Sequence, residues 1–363
     1  MSGFRRTWIP AGIAVVAVMA TMGFSASHSH SIFHRQMRYV MGTLCEILIY
    51  DEDPMRAEQA TNQAFEEMQR VDRLLSNYDP NSELSRMNRM AASGPFEASV
   101  RLLGFMTQCQ EFYRLTEGAF DPTVGPLVRA WGFLGLQPRI PTMNEIEAAR
   151  AKVGMEKIEV DAAHATIRFP VEGMEIDPGG IGKGYAVDRA VGALRRSGIT
   201  SALVNAGGSS FYGMGCPPGQ QFWWIGVKDP SVPDRAVAFV ALHDNSLSTS
   251  GSLEQYVRVG GQTLGHIFDP RSGSPVEGVL EVSVVAPTAT ESDALTKAAF
   301  VLSPPVAFEI FHKRGGIHAL RFERMGSDGW RLRMTPWSHS VFSFGRRVPR
   351  TRTAGLVDLN GEN

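Results

Sequence analysis

The chain has 363 residues, of which 43% are hydrophobic and 20% are charged, and its formal net charge is −1. This composition is typical of a globular protein of one or two domains, and the near-neutral charge excludes nucleic-acid binding through overall charge. Cys45, Cys109 and Cys216 are too few and too scattered for a disulfide framework or a zinc site. Cys45 and Cys109 lie in apolar-periodic segments and are expected to be buried.

The N-terminus has the pattern of a targeting segment. Arg5 and Arg6 precede an apolar run over residues 8–24, and small residues occupy positions 25–27. A charged start, an apolar middle and a small-residue end are typical of a signal peptide, and the run is also nearly long enough for a membrane-spanning helix. Residues 1–27 are therefore predicted to be a cleaved signal or an uncleaved anchor. Either one predicts export to the periplasm, with or without attachment to the inner membrane.

A polar stretch over residues 28–37 is predicted to be a linker, and the first strand of the fold is predicted over residues 41–50. Asp53 and Pro54 are favourable N-cap and N1 residues for a helix that ends near Leu75. Apolar residues three or four apart along this helix predict one buried face.

The remaining elements follow from similar signals, including a capping box formed by Thr142 and Glu145. Helices mixed with antiparallel strands favour an α+β fold over a doubly wound α/β fold. The folded domain is predicted over residues 38–335, with a basic tail over residues 336–363. Helices are predicted over residues 99–117, 143–153 and 293–302, with a further helix ending at Gly198, and strands over residues 158–160, 166–169, 174–176, 202–205, 223–227, 237–242, 256–259 and 279–285.

The most distinctive stretch is E-I-D-P-G-G-I-G-K-G-Y-A-V, residues 175–187. A short strand ends at Asp177, glycines and Lys183 follow, and an amphipathic helix then begins. Glycines let backbone N–H groups face an anion, and a helix N-terminus adds partial positive charge. The pattern predicts a phosphate or diphosphate site, although its spacing matches neither a Walker loop nor G-x-G-x-x-G. It also suits a purely structural strand-to-helix turn.

Six other blocks accompany this stretch in a fixed order. They are M-G-T at 41–43, S-N-Y-D-P-N-S-E-L-S-R-M-N at 76–88, G-A-F-D-P-T-V-G-P-L at 118–127, S-T-S-G at 248–251, G-H-I-F-D-P-R-S-G-S-P-V at 265–276 and S-D-A-L-T-K-A-A-F-V-L at 292–302. Together they resemble the ApbE family, the FAD:protein FMN transferases, over about residues 38–305. The resemblance implies an ApbE-like, T-fold-related catalytic domain of mixed antiparallel sheets and packed helices.

The resemblance also implies a Mg²⁺ ion held by the Asp293 carboxylate and the Gly180 carbonyl. Mg²⁺ takes few protein ligands and keeps several waters. The family usually adds a threonine hydroxyl where this chain has Lys297, and an ammonium cannot bind a metal. Three arrangements stay open: Lys297 contacts phosphate, the neighbouring Thr296 turns in, or water fills the place. Read without the resemblance, Asp293 also fits a helix N-terminal carboxylate.

An FAD site is implied as well. Flat aromatic rings suit an isoalloxazine or adenine ring, aspartates can accept hydrogen bonds from sugar hydroxyls, and a lysine can neutralise diphosphate charge. Taken singly, the aromatic residues also fit a core and S-T-S-G also fits a plain loop. The implied FAD-binding residues are Met41, Tyr78, Ala119, Phe120, Asp121, Asp177, Lys183, Thr249, His266 and Ile267.

The catalytic candidates are His266, Asp293 and Lys183. His266 is predicted on the same strand face as Phe268, where it could polarise the transferring phosphate or move a proton near neutral pH. A lone histidine equally fits a structural role.

These features predict phosphoryl transfer by positioning and charge stabilisation. Mg²⁺ and Lys183 stabilise the FAD diphosphate, a threonine or serine hydroxyl of an exported acceptor flavoprotein attacks the FMN-side phosphorus, and AMP leaves. Two alternatives stay open: an FAD pyrophosphatase that yields FMN and AMP, and a non-catalytic periplasmic flavin-binding protein, which Lys297 and Ser209 favour. A Rossmann dehydrogenase is disfavoured by the glycine spacing.

Overall fold

The computed structural model describes residues 31–344, apart from 134–138, 253–255, 260–261 and 327–328. The helices of the described residues are α1 (Pro54–Leu75), α2 (Glu83–Met90), α3 (Val100–Leu115), α4 (Gly125–Ala130), α5 (Met143–Arg150), α6 (Gly182–Arg196), α7 (Ala289–Val301) and α8 (Pro304–Arg314). The strands are β1 (Ile32–Val40), β2 (Thr43–Asp51), β3 (Phe96–Glu97), β4 (Glu159–Asp161), β5 (Thr166–Arg168), β6 (Ala202–Ala206), β7 (Ser210–Met214), β8 (Trp223–Asp229), β9 (Val232–Leu242), β10 (Asn245–Gly251), β11 (Tyr256–Val259), β12 (Gln262–Gly265), β13 (Phe268–Asp269), β14 (Ser274–Pro275), β15 (Val279–Ala286), β16 (His318–Met325), β17 (Gly329–Met334) and β18 (Phe342–Phe344).

The centre of the fold is an antiparallel sheet with the strand order β1-β2-β6-β7-β10-β15-β16-β17. Successive side chains of a strand point to opposite faces, so each strand contributes to two cores. On one face, α1, α6 and α7 cover residues such as Ile47 and Val204. On the other face, the small sheet β18-β9-β8 covers residues such as Leu48 and Leu203. The predicted α+β class with mixed antiparallel sheets and packed helices is confirmed.

The helix caps that the sequence predicted are present. The Asp53 carboxylate accepts a hydrogen bond from the Met55 N–H at 2.9 Å, and α1 ends at Leu75 as predicted. Thr142 and Glu145 form the reciprocal capping box of α5. These side chains satisfy backbone donors that a helix leaves unpaired at its start. The predicted burial of Cys45 and Cys109 is also confirmed.

The M-G pair forms a hairpin turn, whereas the sequence predicted that it opens the first strand. Met41 and Gly42 both have positive φ angles, 56° and 72°, as a type I′ turn requires. Strand β1 precedes the turn and pairs with β2 along its whole length. The linker prediction for residues 28–37 is therefore wrong from Ile32 onwards. Polar side chains are common in an edge strand, and they concealed this one in the sequence.

The predicted basic tail likewise begins too early. Within residues 336–344, the Trp337 indole donates to the Ile317 carbonyl at 2.8 Å, and Phe342 pairs with Val240 of β9. The rest of the tail prediction lies outside the described residues, as does the predicted targeting segment. None of the described helices is long and apolar enough to cross a membrane.

The S-T-S-G segment belongs to strand β10, whereas the sequence predicted a loop. Strand β10 lies between β7 and β15, and Ser246, Ser248 and Ser250 are buried on the face that meets α7. Serine hydroxyls in place of apolar side chains removed the usual hydrophobic signal of a central strand. Residues 174–176 were predicted to be a strand and instead form an isolated bridge, between Glu175 and Val124.

Helix α7 begins four residues earlier than predicted. The Thr288 hydroxyl accepts a hydrogen bond from the Glu291 N–H at 3.2 Å and so caps the helix. Asp293, which was predicted near the cap, is therefore the fifth residue of the helix and points from its second turn. A carboxylate there is not needed to satisfy the start of the helix.

Candidate active site

The glycine-rich stretch forms a tight turn that leads into a helix whose N-cap side chain makes no hydrogen bond. Asp177 caps a short 3₁₀ turn, Pro178–Gly180, by accepting a hydrogen bond from the Gly179 N–H at 2.8 Å. Helix α6 starts two residues later at Gly182, and its N-cap residue, Ile181, has no side-chain hydrogen bond to the helix start. The first N–H groups of a helix have no partner within the helix. This end of α6 is therefore suited to bind an anion.

Two contacts from distant segments hold the turn in place. The Asp177 N–H donates to the Pro122 carbonyl at 2.7 Å, which joins the G-A-F-D-P block to the turn. Asn88 of α2 pairs with the backbone of Ile176, accepting from its N–H at 2.9 Å and donating to its carbonyl at 3.0 Å. The sequence had assigned no role to Asn88. Its place at the end of the S-N-Y-D-P-N-S-E-L-S-R-M-N block was the available signal.

Helices α6 and α7 approach each other very closely at Gly184. A Cβ atom at Gly184 would lie 2.1 Å from the Ala289 carbonyl oxygen, so only glycine fits without a shift of one helix. The Asp188 carboxylate, one turn further along α6, accepts hydrogen bonds from the N–H groups of Ala289 and Thr290, both at 2.8 Å. Burial raises the pKa of Asp188, and these hydrogen bonds from the start of α7 oppose that rise. The two helices are thus fixed to one another beside the turn.

Asp293 is buried where the helices meet. One oxygen of its carboxylate accepts a hydrogen bond from the Gly184 N–H at 3.0 Å. The other oxygen lies 2.5 Å from the Lys297 ammonium, one helical turn along α7. The Asp293 side chain is 3% exposed and that of Lys297 is 16% exposed. Asp293 therefore links the glycine-rich helix start to an ammonium group.

Thr296 does not turn towards the Asp293 carboxylate. Its hydroxyl donates to the Asp293 main-chain carbonyl at 2.7 Å and lies 2.8 Å from the Ser250 hydroxyl of β10. Ser248 of β10 similarly contacts the Ser292 hydroxyl of α7 at 2.8 Å. These buried hydroxyls fasten α7 to the sheet. Of the three arrangements left open by the sequence, the one in which Thr296 turns in is disfavoured by this geometry.

The predicted ring-binding residues fall into two groups. Tyr78 is 86% exposed. Phe120 and Ala119 are buried, and the Phe120 ring packs edge-on against Phe112 with the ring centroids 6.4 Å apart. Tyr78 therefore has a free ring face for a flavin or adenine ring. Phe120 supports the turn from below, since its ring would lie 3.5 Å from a Cβ on Gly180.

Met41 and Asp121 also lie at the turn or on the segment that supports it. The Met41 methyl group would lie 3.6 Å from a Cβ on Gly182, so the hairpin tip contacts the start of α6. The Met41 N–H donates to the Asp72 carboxylate at 3.0 Å. The Asp121 carboxylate accepts from the Thr123 N–H at 2.8 Å. Burial raises the pKa of Asp121 to about 6, and the hydrogen bonds from Thr123 oppose this rise.

The other predicted residues are positioned as follows. Lys183 is the second residue of α6 and is partly exposed, and within the described part of the chain no hydrogen bond or ion pair involves its ammonium. Thr249 points to the face of β10 opposite Ser248, where its hydroxyl meets that of Ser283 at 2.8 Å. Ile267 is buried, and its carbonyl accepts a hydrogen bond from the Val276 N–H.

His266 lies in a bend between β12 and β13 and is partly exposed. It is therefore not on one continuous strand with Phe268, and that part of the prediction is wrong. The D-P-R-S-G sequence that follows forms a turn, in which the Gly273 N–H donates to the Asp269 carbonyl at 2.8 Å.

The fold and the glycine-rich turn define a transferase enzyme of a known family. The model of the ApbE family matches residues 41–321, so this chain belongs to the ApbE family. The protein named FAD:protein FMN transferase from Salmonella typhimurium is 33% identical over 303 residues, which span 82% of this chain and 85% of that protein.

Solved structures agree with this assignment. The ApbE protein from Thermotoga maritima superposes with a TM-score of 0.76 at 29% sequence identity, and the match covers 84% of this chain and 97% of that chain. The flavin transferase ApbE from Vibrio cholerae superposes with a TM-score of 0.74 at 27% identity, and the match covers 86% of this chain and 99% of that chain.

As arranged, the donors at Asp293 do not fit a Mg²⁺ ion. Mg²⁺ takes oxygen ligands at about 2.0–2.1 Å in near-octahedral geometry, yet both Asp293 oxygens have other partners and the Thr296 hydroxyl is turned away. An ion on this carboxylate would lie roughly 4 Å from the Lys297 ammonium, where a double charge would be repelled by about 8 kcal/mol at an effective dielectric constant of 20. Among the described residues, no group of three or more His, Cys, Asp or Glu side chains could hold a metal. The Mg²⁺ site predicted at Gly180 and Asp293 stays a prediction, and the side-chain arrangement argues against it.

Proposed function

We propose that this protein transfers the FMN moiety of FAD to a threonine or serine hydroxyl of an exported acceptor flavoprotein. The observation that carries the proposal is the glycine-rich start of α6, with Lys183 in its first turn and with Asp293 and Lys297 of α7 beside it. It occurs in a chain 33% identical to a protein named FAD:protein FMN transferase.

The reaction follows from these groups. The acceptor hydroxyl oxygen forms a bond to the FMN-side phosphorus, the bond from that phosphorus to the bridging oxygen breaks, and AMP leaves. The hydroxyl proton passes to a base, for which His266 is the candidate. The start of α6 and Lys183 stabilise the negative charge on the phosphate oxygens. Magnesium dependence, which the family resemblance implies, is left out of this proposal because the Lys297 ammonium occupies the Asp293 carboxylate.

We also propose that the protein acts outside the cytoplasm. The support for this location is the charged start, apolar run and small-residue end of residues 1–27. The acceptor of the FMN group is then an exported protein as well.

The test is incubation of the purified protein with FAD and each candidate exported flavoprotein from the same genome. Transfer is expected to give the acceptor a mass gain equal to one covalent FMN, with one AMP released per FMN attached. FMN and AMP released equally with and without every acceptor would instead identify an FAD pyrophosphatase. FAD bound and recovered unchanged would identify a flavin-binding protein.

A further inference from the structure

Lys297 lies between the Asp293 carboxylate and the glycine-rich turn. The stem of Lys297 passes the turn closely, since its Cγ and Cε atoms would lie 3.5 Å and 3.6 Å from a Cβ on Gly180. Its ammonium ends 2.5 Å from Asp293 Oδ1. The ion pair therefore lies beside the N-terminus of α6 and not on a remote surface.

The Lys297 ammonium has more N–H donors than its hydrogen bond to Asp293 uses. A lysine ammonium carries three N–H donors, and within the described residues its hydrogen bond is to Asp293. Burial of a polar group without partners is costly, and this side chain is largely shielded from water. Lys313 of α8 makes a similar pair with Glu309, but both of those side chains are exposed. Lys297 differs because its remaining donors lie beside a predicted anion site.

The charges at the turn favour a dianion only if Lys297 is present. Asp293 alone would place a negative charge beside the FAD diphosphate, which itself carries about two negative charges. The Lys297 ammonium cancels the charge of Asp293 and leaves Lys183 and the α6 helix end as net positive groups. Without Lys297, an added cation would be needed to offset Asp293.

We infer that the Lys297 ammonium is the cation of this site, contacting the FAD diphosphate and replacing a divalent ion at Asp293. The inference rests on the proposed function and adds to it the role of Lys297 and FAD binding that needs no divalent metal. Lys297 is then a catalytic residue, because it touches the reacting diphosphate. Asp293 is a positioning residue, which holds the ammonium with one oxygen and the Gly184 N–H with the other.

The test measures FAD binding to the full-length purified protein, by quenching of flavin fluorescence, in EDTA and in Mg²⁺. Wild-type affinity is expected to be the same in both. Lys297→Met should weaken FAD binding by about tenfold to a hundredfold, the range for one charge-assisted hydrogen bond. Its affinity for riboflavin, which has no phosphate, should not change. Lys297→Arg should retain most of the FAD affinity, and the control Lys313→Met should behave like wild type.

A further variant tests the replacement of the metal directly. Lys297→Thr removes the ammonium and supplies a hydroxyl, so its FAD affinity should be low in EDTA and rise at least about tenfold with Mg²⁺. Riboflavin binding and the melting temperature report whether each variant is folded.

Two results would overturn the inference while leaving the proposed function intact. One is a wild-type affinity for FAD that falls tenfold or more in EDTA and returns with Mg²⁺. The other is a folded Lys297→Met variant that binds FAD as wild type does. A wild-type protein that binds no FAD under either condition would instead refute the proposed function.

Discussion

His266 is the residue for which catalysis and structure are most easily separated. An amide can donate and accept hydrogen bonds but cannot transfer a proton near neutral pH, so His266→Asn should lower the rate of AMP release by about 100-fold or more. FAD affinity and the melting temperature should change little, because the side chain is only partly buried in a bend. A single preparation assayed for rate, FAD binding and thermal unfolding gives all three quantities.

The matched control is His164→Asn, in an exposed turn about a hundred positions before His266. It should leave the rate unchanged. If His266 were purely structural, His266→Asn would lower the melting temperature while the rate per folded molecule stayed at the wild-type value.

The contribution of the single residue Asp121 to stability is expected to depend on pH. Burial raises its pKa from the ordinary 3.8 to about 6 in the folded protein. The folded state therefore binds this proton more tightly than the unfolded state does, and the contribution of Asp121 to stability falls as the pH rises from about 4 to about 6. At neutral pH the charged carboxylate therefore lowers the free energy of unfolding by about 3 kcal/mol.

Asp121→Asn should accordingly raise the free energy of unfolding at pH 7.5 by about 1–3 kcal/mol and change it little at pH 4. The amide oxygen can still accept the hydrogen bonds from Thr123. Urea unfolding without FAD at both pH values is the measurement, with the exposed Glu172→Gln as control. An equal effect at both pH values would contradict the prediction.

At the scale of elements, the contact between α6 and α7 controls the site. Gly184→Ala should be strongly destabilising, because its Cβ would clash with the Ala289 carbonyl at 2.1 Å and with the Asp293 Cβ at 2.8 Å. Forcing the helices apart would break the Gly184 to Asp293 hydrogen bond. A loss of at least about 3 kcal/mol in the free energy of unfolding is expected from overpacking plus the lost bond, as measured by urea denaturation.

Gly192→Ala, in the same helix, is the control. Its Cβ would meet only the flexible end of Arg196, at 3.3 Å. Alanine is the better helix former, so this variant should gain up to about 1 kcal/mol. Gly184→Ala as stable as Gly192→Ala would show that the helices have room to separate.

The sequence predicted elements well where local chemistry determines them. Helix α1 begins and ends at the predicted residues because Asp53 caps it and one face is apolar. Strand β10 was missed because its stability comes from two neighbouring strands and from serine hydroxyls that bond to α7. The start of α7 was missed because part of its cap is Asp188, a residue about a hundred positions earlier. Partners so distant leave no local pattern.

The candidate site shows the same division. The glycine-rich turn and its helix were predicted from the sequence, since glycines followed by an amphipathic pattern are a local signal. Asp293 and Lys297 are four residues apart, so they share a face wherever this segment is helical. The salt bridge between them is local to α7, whereas the contact of Asp293 with Gly184 and the support of the turn by Asn88 depend on how separate helices pack. Only the folded structure brings them together.

At the scale of the whole molecule, the sheet explains why the site residues are so far apart in the sequence. The sheet packs α1, α6 and α7 on one face, which brings the Met41 turn, the Gly182 end of α6 and Asp293 of α7 to one region. The opposite face is closed by the β18-β9-β8 sheet and contributes none of these contacts. The catalytic unit is therefore the intact sheet with its helices and not a shorter fragment.

The last prediction concerns the segment ahead of this unit. The family match begins at residue 41 and strand β1 begins at Ile32, so deletion of residues 2–27 should leave FAD affinity and melting temperature unchanged. The same deletion should hold the protein in the cytoplasm if residues 1–27 direct export. Fractionation of cells that express either form is the measurement, and the mass of the full-length product distinguishes a cleaved signal from an anchor. A full-length protein found in the cytoplasm, or a truncated one found in the periplasm, would contradict export through this segment. An acceptor in the cytoplasm would then have to be sought.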